Sequence, residues 1–129
     1  MQIVIATHGN YAAGLFSALK VQGADKANVS IIAAYTEDDD FEACFDRVIS
    51  AFNKEEEIVV LTDLLGGSVN QIAMKYSLNR KLWIISGVNL PLVINATLLK
   101  VSNNLEKQIS MIVEQSREQL LFINPLLNK

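Results

Sequence analysis

Continuous apolar runs alternate with amphipathic stretches along this chain. Gln2–Ala6 is apolar after its first residue and reads as a strand. Tyr11–Gln22 follows, with Ala12, Leu15, Phe16 and Leu19 at helical spacing, and Gly23 stops it. Val29–Tyr35 is a second strand, apolar almost throughout. Thr36–Asp40 is a loop whose aspartates suit the start of a helix over about Asp40–Phe52. Phe41, Phe45, Val48, Ile49 and Phe52 form the buried face of that helix. Glu57–Thr62 is a third strand, Asp63–Gly67 a turn, and Ser68 an N-cap for a helix through Tyr76. Leu82–Ser86 is a fourth strand, broken by Gly87–Pro91, where Pro91 suits a first helical turn. Leu92–Val101 and Asn104–Glu118 read as helices, the second with Leu105, Ile109, Ile112 and Val113 periodic. Gln119–Asn124 reads as a short last strand, ended by Pro125.

Apolar strands alternating with amphipathic helices predict an α/β fold, with a doubly wound, mainly parallel sheet covered by helices on both faces. Right-handed crossovers leave few topologies, and strand order 2-1-3-4 fits best. The segment Leu120–Ile123 is expected at a sheet edge, that of this chain or of a neighbour. Neither a repeat nor a linker interrupts the pattern, so residues 1–129 read as one domain.

Composition narrows the function. Half the residues are hydrophobic and 19% are charged, which argues against disorder. A net charge of −3 argues against a nucleic-acid binder. The single cysteine, Cys44, rules out an intrachain disulfide and reads as helix packing. With no disulfide framework, signal peptide or long apolar run, the expected compartment is the cytoplasm. Asp38-Asp39-Asp40 reads as a solvated loop and cap rather than a metal site, and Tyr76 and Trp83 as core or rim.

The only histidine, His8, follows the first strand directly. In the expected topology the end of strand three lies beside it and delivers Asp63-Leu64-Leu65-Gly66-Gly67-Ser68. The end of strand four brings Ser86-Gly87-Val88-Asn89. Chemistry in open α/β sheets gathers beyond the carboxyl ends of the strands. Asp63 could fix one imidazole nitrogen, leaving the other to attack an electrophile. Gly66 and Gly67 allow close backbone approach, and Ser68 at a helix N-terminus suits a phosphoryl group. Singly, each piece has a plainer reading: a structural histidine, an aspartate capping its turn, a glycine turn with an N-cap. Together they suggest a phosphohistidine site that needs neither metal nor cofactor.

These residues resemble the IIA domain of the mannose family of the bacterial phosphoenolpyruvate:sugar phosphotransferase system. Ile3-Val-Ile-Ala-Thr-His-Gly9 resembles that family's opening strand and active-site histidine. Val59-Val-Leu-Thr-Asp-Leu-Leu-Gly-Gly-Ser68 resembles its second signature, and Ser86-Gly-Val-Asn-Leu-Pro91 its Gly-Val-Asn-x-Pro turn. The resemblance covers essentially the whole chain. It implies that His8 accepts a phosphoryl group at Nε2 from phospho-HPr and passes it to a IIB domain during sugar uptake. Membrane IIC and IID partners would take part indirectly. It implies that Asp63 orients His8, and that Thr7, Gly9, Gly67 and Ser68 help hold the phosphoryl group. It also implies a homodimer in which the C-terminal strand is exchanged. Leu65 and Val69 depart from the aromatic residue and the proline that often flank Gly-Gly-Ser in that family, which bears on partner docking. A phosphoryl carrier needs docking surface more than a pocket, so His8 is expected in a shallow, accessible depression rimmed by Leu64, Leu65 and Val69.

Other readings compete. The phosphotransfer subunit of a dihydroxyacetone kinase also uses an N-terminal histidine, but typically with serine on either side, unlike Thr7-His8-Gly9. A hydrolase built on Ser68, His8 and Asp63 lacks the glycine pattern of a nucleophile elbow. A non-enzymatic, regulatory or receiver-like module would want an acidic pair after strand one, which is missing.

Overall fold

A computed structural model of the chain describes residues 1–25, 28–34 and 40–127. Its elements are β1 (Gln2–His8), α1 (Tyr11–Val21), β2 (Val29–Ala34), α2 (Phe41–Ser50), β3 (Ile58–Thr62) and α3 (Ser68–Tyr76), followed by β4 (Leu82–Ser86), α4 (Leu90–Ala96), α5 (Leu105–Arg117) and α6 (Asn124–Leu127). The expected end of the second strand at Tyr35, and the loop with Asp38 and Asp39, lie outside the described residues.

The strands form one four-stranded sheet in the order β2-β1-β3-β4. Every pairing is parallel, as the continuous apolar strands required. Side chains alternate across it. Ile3, Ile5, Val59 and Leu61 face a core layer with Ala12, Leu15 and Leu19 of α1, Leu92 and Val93 of α4 and Leu105 of α5. Val4, Ala6, Ile58 and Val60 face the other layer, with Phe41, Phe45 and Ile49 of α2 and Val69 and Ala73 of α3. The central strands β1 and β3 are therefore covered on both faces, and β3 is buried along its whole length.

Local chemistry sets the element ends. Gly23, at φ +71°, follows α1; its N–H bonds to Lys20 O, and the Ala24 N–H bonds to Leu19 O. Those two bonds make a Schellman motif at the predicted glycine. Asp40 caps α2 through the Ala43 N–H. At the other end of that helix, Arg80 Nη1 donates to Ile49 O and Nη2 to Asn53 O, both at 3.0 Å. The guanidinium adds a charged donor to carbonyls that also accept the Phe52 and Glu56 N–H groups, and so ties the approach to β4 to the end of α2.

Three expectations fail. The N-cap of α3 is Gly67, in extended conformation, and Ser68 is already helical. α4 runs Leu90–Ala96 rather than Leu92–Val101. Asn89 caps it two residues early by accepting from the Leu92 N–H, and Thr97 ends it with a hydroxyl that donates to Ile94 O. Residues 120–123 form no strand, and Pro125 sits inside the helical turn α6 instead of ending a strand. A proline suits a first helical turn. An extended segment beside water gains no ladder hydrogen bonds without a strand to pair with, and none of the described strands pairs with it.

Arg80→Ala should destabilise the fold by about 1–3 kcal/mol through the loss of its charge-assisted hydrogen bonds to Ile49 O and Asn53 O. Urea unfolding checks this; an unchanged midpoint would mean that water replaces the guanidinium at no cost.

Candidate functional site

β1 runs two residues further than the sequence suggests, so His8 is its last residue rather than the first of a loop. Gly9 then turns at φ +56°, a conformation that favours glycine, and its N–H donates to Ala34 O of β2. Beside β1, β3 ends at Thr62, opposite Ala6, and the chain continues into Asp63. Adjacent parallel strands thus bring His8 and Asp63 together across 55 residues of sequence.

Asp63 is the most constrained group of the site. Its Oδ2 lies 2.9 Å from both the His8 backbone nitrogen, which donates to it, and His8 Nδ1. Its Oδ1 accepts from the Leu64 N–H at 3.0 Å. Burial pushes the Asp63 carboxyl up, but the His8 N–H, the imidazole, its own backbone N–H and the charge of the ring outweigh this and hold it below its usual value. An ionised carboxylate only accepts, so Nδ1 must carry a proton. In the neutral ring the lone pair then belongs to Nε2. The Asp63 side chain is 11% exposed and that of His8 37%, so the pair runs from an interior anchor to an accessible ring.

The start of α3 closes on the same ring. Gly67 precedes Ser68 in extended conformation, and a Cβ placed on it would lie 3.7 Å from His8 Cε1. The N-terminus of a nine-residue helix, with its positive dipole end, therefore begins beside the imidazole. In the turn between Asp63 and Gly67, Leu64 and Leu65 are 58% and 87% exposed.

Two expected members lie elsewhere. Thr7 has no exposed surface, and its hydroxyl accepts from the Ala12 N–H at 2.7 Å. It caps α1 in place of Asn10, whose side chain makes no cap bond, so its side chain has no surface for a phosphoryl group. Val69 is 1% exposed and packs between α3 and the sheet, so it forms no part of the rim. Position in the first turn of α3 turns it inward, which its place beside Ser68 in the sequence did not reveal.

Other contacts carry no signal in the sequence. The Thr62 hydroxyl donates to Asn70 Oδ1 in the interior, tying β3 to α3 just before Asp63. Tyr11 Oη donates to Val88 O at 2.7 Å, and the Val88 N–H donates to Thr62 O at 2.9 Å. Asn89 faces α5, donating to Ser116 O, and not the histidine. No group of metal-ligating side chains occurs among the described residues.

A family model described as "PTS system fructose IIA component" matches residues 2–113. Three solved structures are similar over nearly the full chain. A Klebsiella pneumoniae subsp. pneumoniae protein, provisionally named a phosphoenolpyruvate-dependent sugar phosphotransferase system permease, is 25% identical with a TM-score of 0.89. The match covers 98% of this chain and 93% of that one. The phosphotransferase system component EIIA of Streptococcus agalactiae is 26% identical, TM-score 0.81, with 96% and 98% covered. A PTS IIA protein associated with the fucose utilization operon of Streptococcus pneumoniae is 27% identical, TM-score 0.76, with 98% and 96% covered.

The depressed Asp63 carboxyl predicts a pH signature. Its contribution to stability is complete above about pH 4, the ordinary carboxylate range, and is lost as pH falls through its lower folded value. Asp63→Asn should therefore cost stability at pH 7, and the difference from wild type should shrink in acid. Denaturant titrations across this range test it; a pH-independent difference would mean that the carboxylate charge is not what stabilises the site.

Proposed function

This chain belongs to the family of PTS IIA components, proteins of sugar phosphotransfer, and on that premise we propose that His8 is its phosphoryl carrier. The observation that carries the reading is the Asp63 carboxylate, 2.9 Å from Nδ1, which assigns the proton to that nitrogen and the lone pair to Nε2. In this reading residues 1–129 are one phosphotransfer domain acting in the cytoplasm, with HPr as donor and a IIB domain as acceptor. The described helices are all too short or too polar to cross a membrane, which suits a role whose transport step belongs to other subunits.

The chemistry is a pair of displacements. His8 Nε2 attacks the phosphorus of the donor's phosphohistidine. The N–P bond of the donor breaks, and its electron pair returns to the donor's imidazole. His8 then carries the phosphoryl group on Nε2 and a proton on Nδ1, so its ring is cationic. Asp63 offsets that charge and is already ionised and hydrogen-bonded before transfer, so little reorganisation is needed. The second displacement repeats the exchange, with the Nε2–P electron pair returning to His8 as the group leaves for IIB. Gly67 leaves room beside the ring, and Ser68 opens α3, whose positive dipole end faces the phosphoryl oxygens. Gly9 supplies the turn that lets β1 end on His8. Leu64 and Leu65 would meet the partner proteins.

The homodimer belongs to the same reading. Leu120, Leu121, Phe122, Ile123, Leu126 and Leu127 are all exposed, Leu120 at 88% and Phe122 at 75%. Such an apolar tail favours cover, and β4, paired on one side by β3, has an open edge. A tail exchanged with a second copy satisfies both needs.

Wild type incubated with phosphoenolpyruvate, enzyme I and HPr should acquire an acid-labile, base-stable phosphate, and His8→Ala should acquire none. Equal labelling of both would sink the reading. Gly67→Ala meets no clash below 3.5 Å and should fold, but it narrows the space beside the ring and should slow labelling by roughly tenfold. Removal of residues 119–129 should convert a dimer to a monomer in sedimentation analysis, and a wild-type monomer would exclude the exchange.

A further inference from the structure

We propose that Tyr11 is a positioning residue for transfer at His8, acting through the Val88 peptide on the segment that holds Asp63. The inference rests on the carrier role of His8 proposed above. It starts from an oddity of Tyr11. This residue opens α1 three positions after His8, is 44% exposed, and belongs to neither core layer. Its ring therefore gains little from burial. Its hydroxyl nonetheless reaches a carbonyl 77 residues away, Val88 O, at 2.7 Å.

The Val88 peptide is gripped from both sides. Its carbonyl accepts from Tyr11, and its N–H donates to Thr62 O, the last carbonyl of β3. Thr62 is covalently joined to Asp63, and Asp63 accepts from the backbone and ring of His8. The chain from His8 through Gly9 and Asn10 to Tyr11 completes a closed circuit. Every link is a hydrogen bond of 2.9 Å or less or a short stretch of backbone. Val88 itself is 4% exposed and packed in the core layer of α1 and α4, so the circuit is pinned to a rigid point. Gly87, at φ +82°, supplies the turn that presents the Val88 peptide to both partners.

A closed circuit constrains its members more than the same bonds in an open chain, because each closure removes conformational freedom from the rest. The circuit holds three strand ends in register: β1 through His8, β3 through Thr62, and β4 through Val88. Opening it at Tyr11 leaves His8, Asp63 and the start of α3 chemically intact. What changes is the angular freedom of the His8–Asp63 pair, which rises, and to which transfer between two bulky partners is sensitive.

Tyr11→Phe opens the circuit with the smallest change of shape. Two readouts on the intact protein decide the matter. The first is steady-state transfer from phospho-HPr: kcat should fall roughly tenfold while KM for phospho-HPr stays at the wild-type value. The second is the 15N spectrum of His8, which should move from a single Nδ1–H tautomer toward a mixture, with faster exchange of the Nδ1 proton. In the Asp63→Asn background Tyr11→Phe should cost nothing further, since the tyrosine acts through that carboxylate. A loss confined to KM with an unmoved tautomer would make Tyr11 a partner contact and overturn the proposal. Wild-type kcat with a wild-type spectrum, or additive losses in the double variant, would overturn it as well. If the wild-type protein takes no phosphate on His8, the carrier reading fails, and the 15N spectra of wild type and Tyr11→Phe still decide the positioning role.

Discussion

The site depends on one carboxylate with several donors. Asp63 takes the His8 N–H and ring on one oxygen and the Leu64 N–H on the other. A half-buried carboxylate with fewer donors would tend to take up a proton, and the imidazole tautomer would then be undetermined. The backbone bond from His8 matters as much as the ring bond, because it fixes where the carboxylate stands before the side chain arrives. Strand pairing sets both: β1 and β3 lie side by side and in parallel, so their C-terminal ends meet.

That pairing is in turn enforced by burial. β3 is covered along its length, and Ile3, Val4, Ile5 and Ala6 of β1 have no exposed surface. A shift of one residue in either strand would exchange the side chains of its two faces between core layers of different shape. It would also move Asp63 off His8. The apolar residues that carry no chemistry therefore define the distance on which the chemistry depends. Around them the polar contacts are local: Thr7 closes the first turn of α1, and Asn70 anchors the end of β3.

Much of this was legible in the sequence. Apolar strands without alternation mean a parallel sheet, and the order 2-1-3-4 brings the strand ends that carry His8 and Asp63 side by side. Leu82–Ser86 kept its predicted bounds because Gly87 marks its end, and α3 kept its end at Tyr76, although Gly67 and not Ser68 is its N-cap. What stayed hidden depends on direction in space. Thr7 and Val69 flank site residues, yet one caps a helix and the other fills a core layer, and adjacency along the chain does not encode that. The bond from Tyr11 to Val88 joins the start of α1 to the turn after β4, whose approach only the fold creates. The tail failed for a different reason. Leu120–Ile123 has the composition of a strand, but a strand is defined by a partner, and within one chain that segment has none.

The division of exposure within the His8–Asp63 pair bears on what such a site can do. A buried pair could hold its tautomer equally well but could not meet another protein's active site. A fully exposed pair could meet one, but water would compete for Nδ1 and loosen the ring. With 11% exposure at the carboxylate and 37% at the imidazole, the anchor is shielded while the ring stays within reach. Leu64 and Leu65 are exposed in the turn that follows Asp63, and apolar rims exclude water once a partner docks. Docking would then lower the local dielectric around the Nδ1–carboxylate bond and strengthen it at the moment of transfer. A shallow site with one deep carboxylate thus reconciles accessibility with preorganisation, and it leaves the closing of the reaction space to the partner.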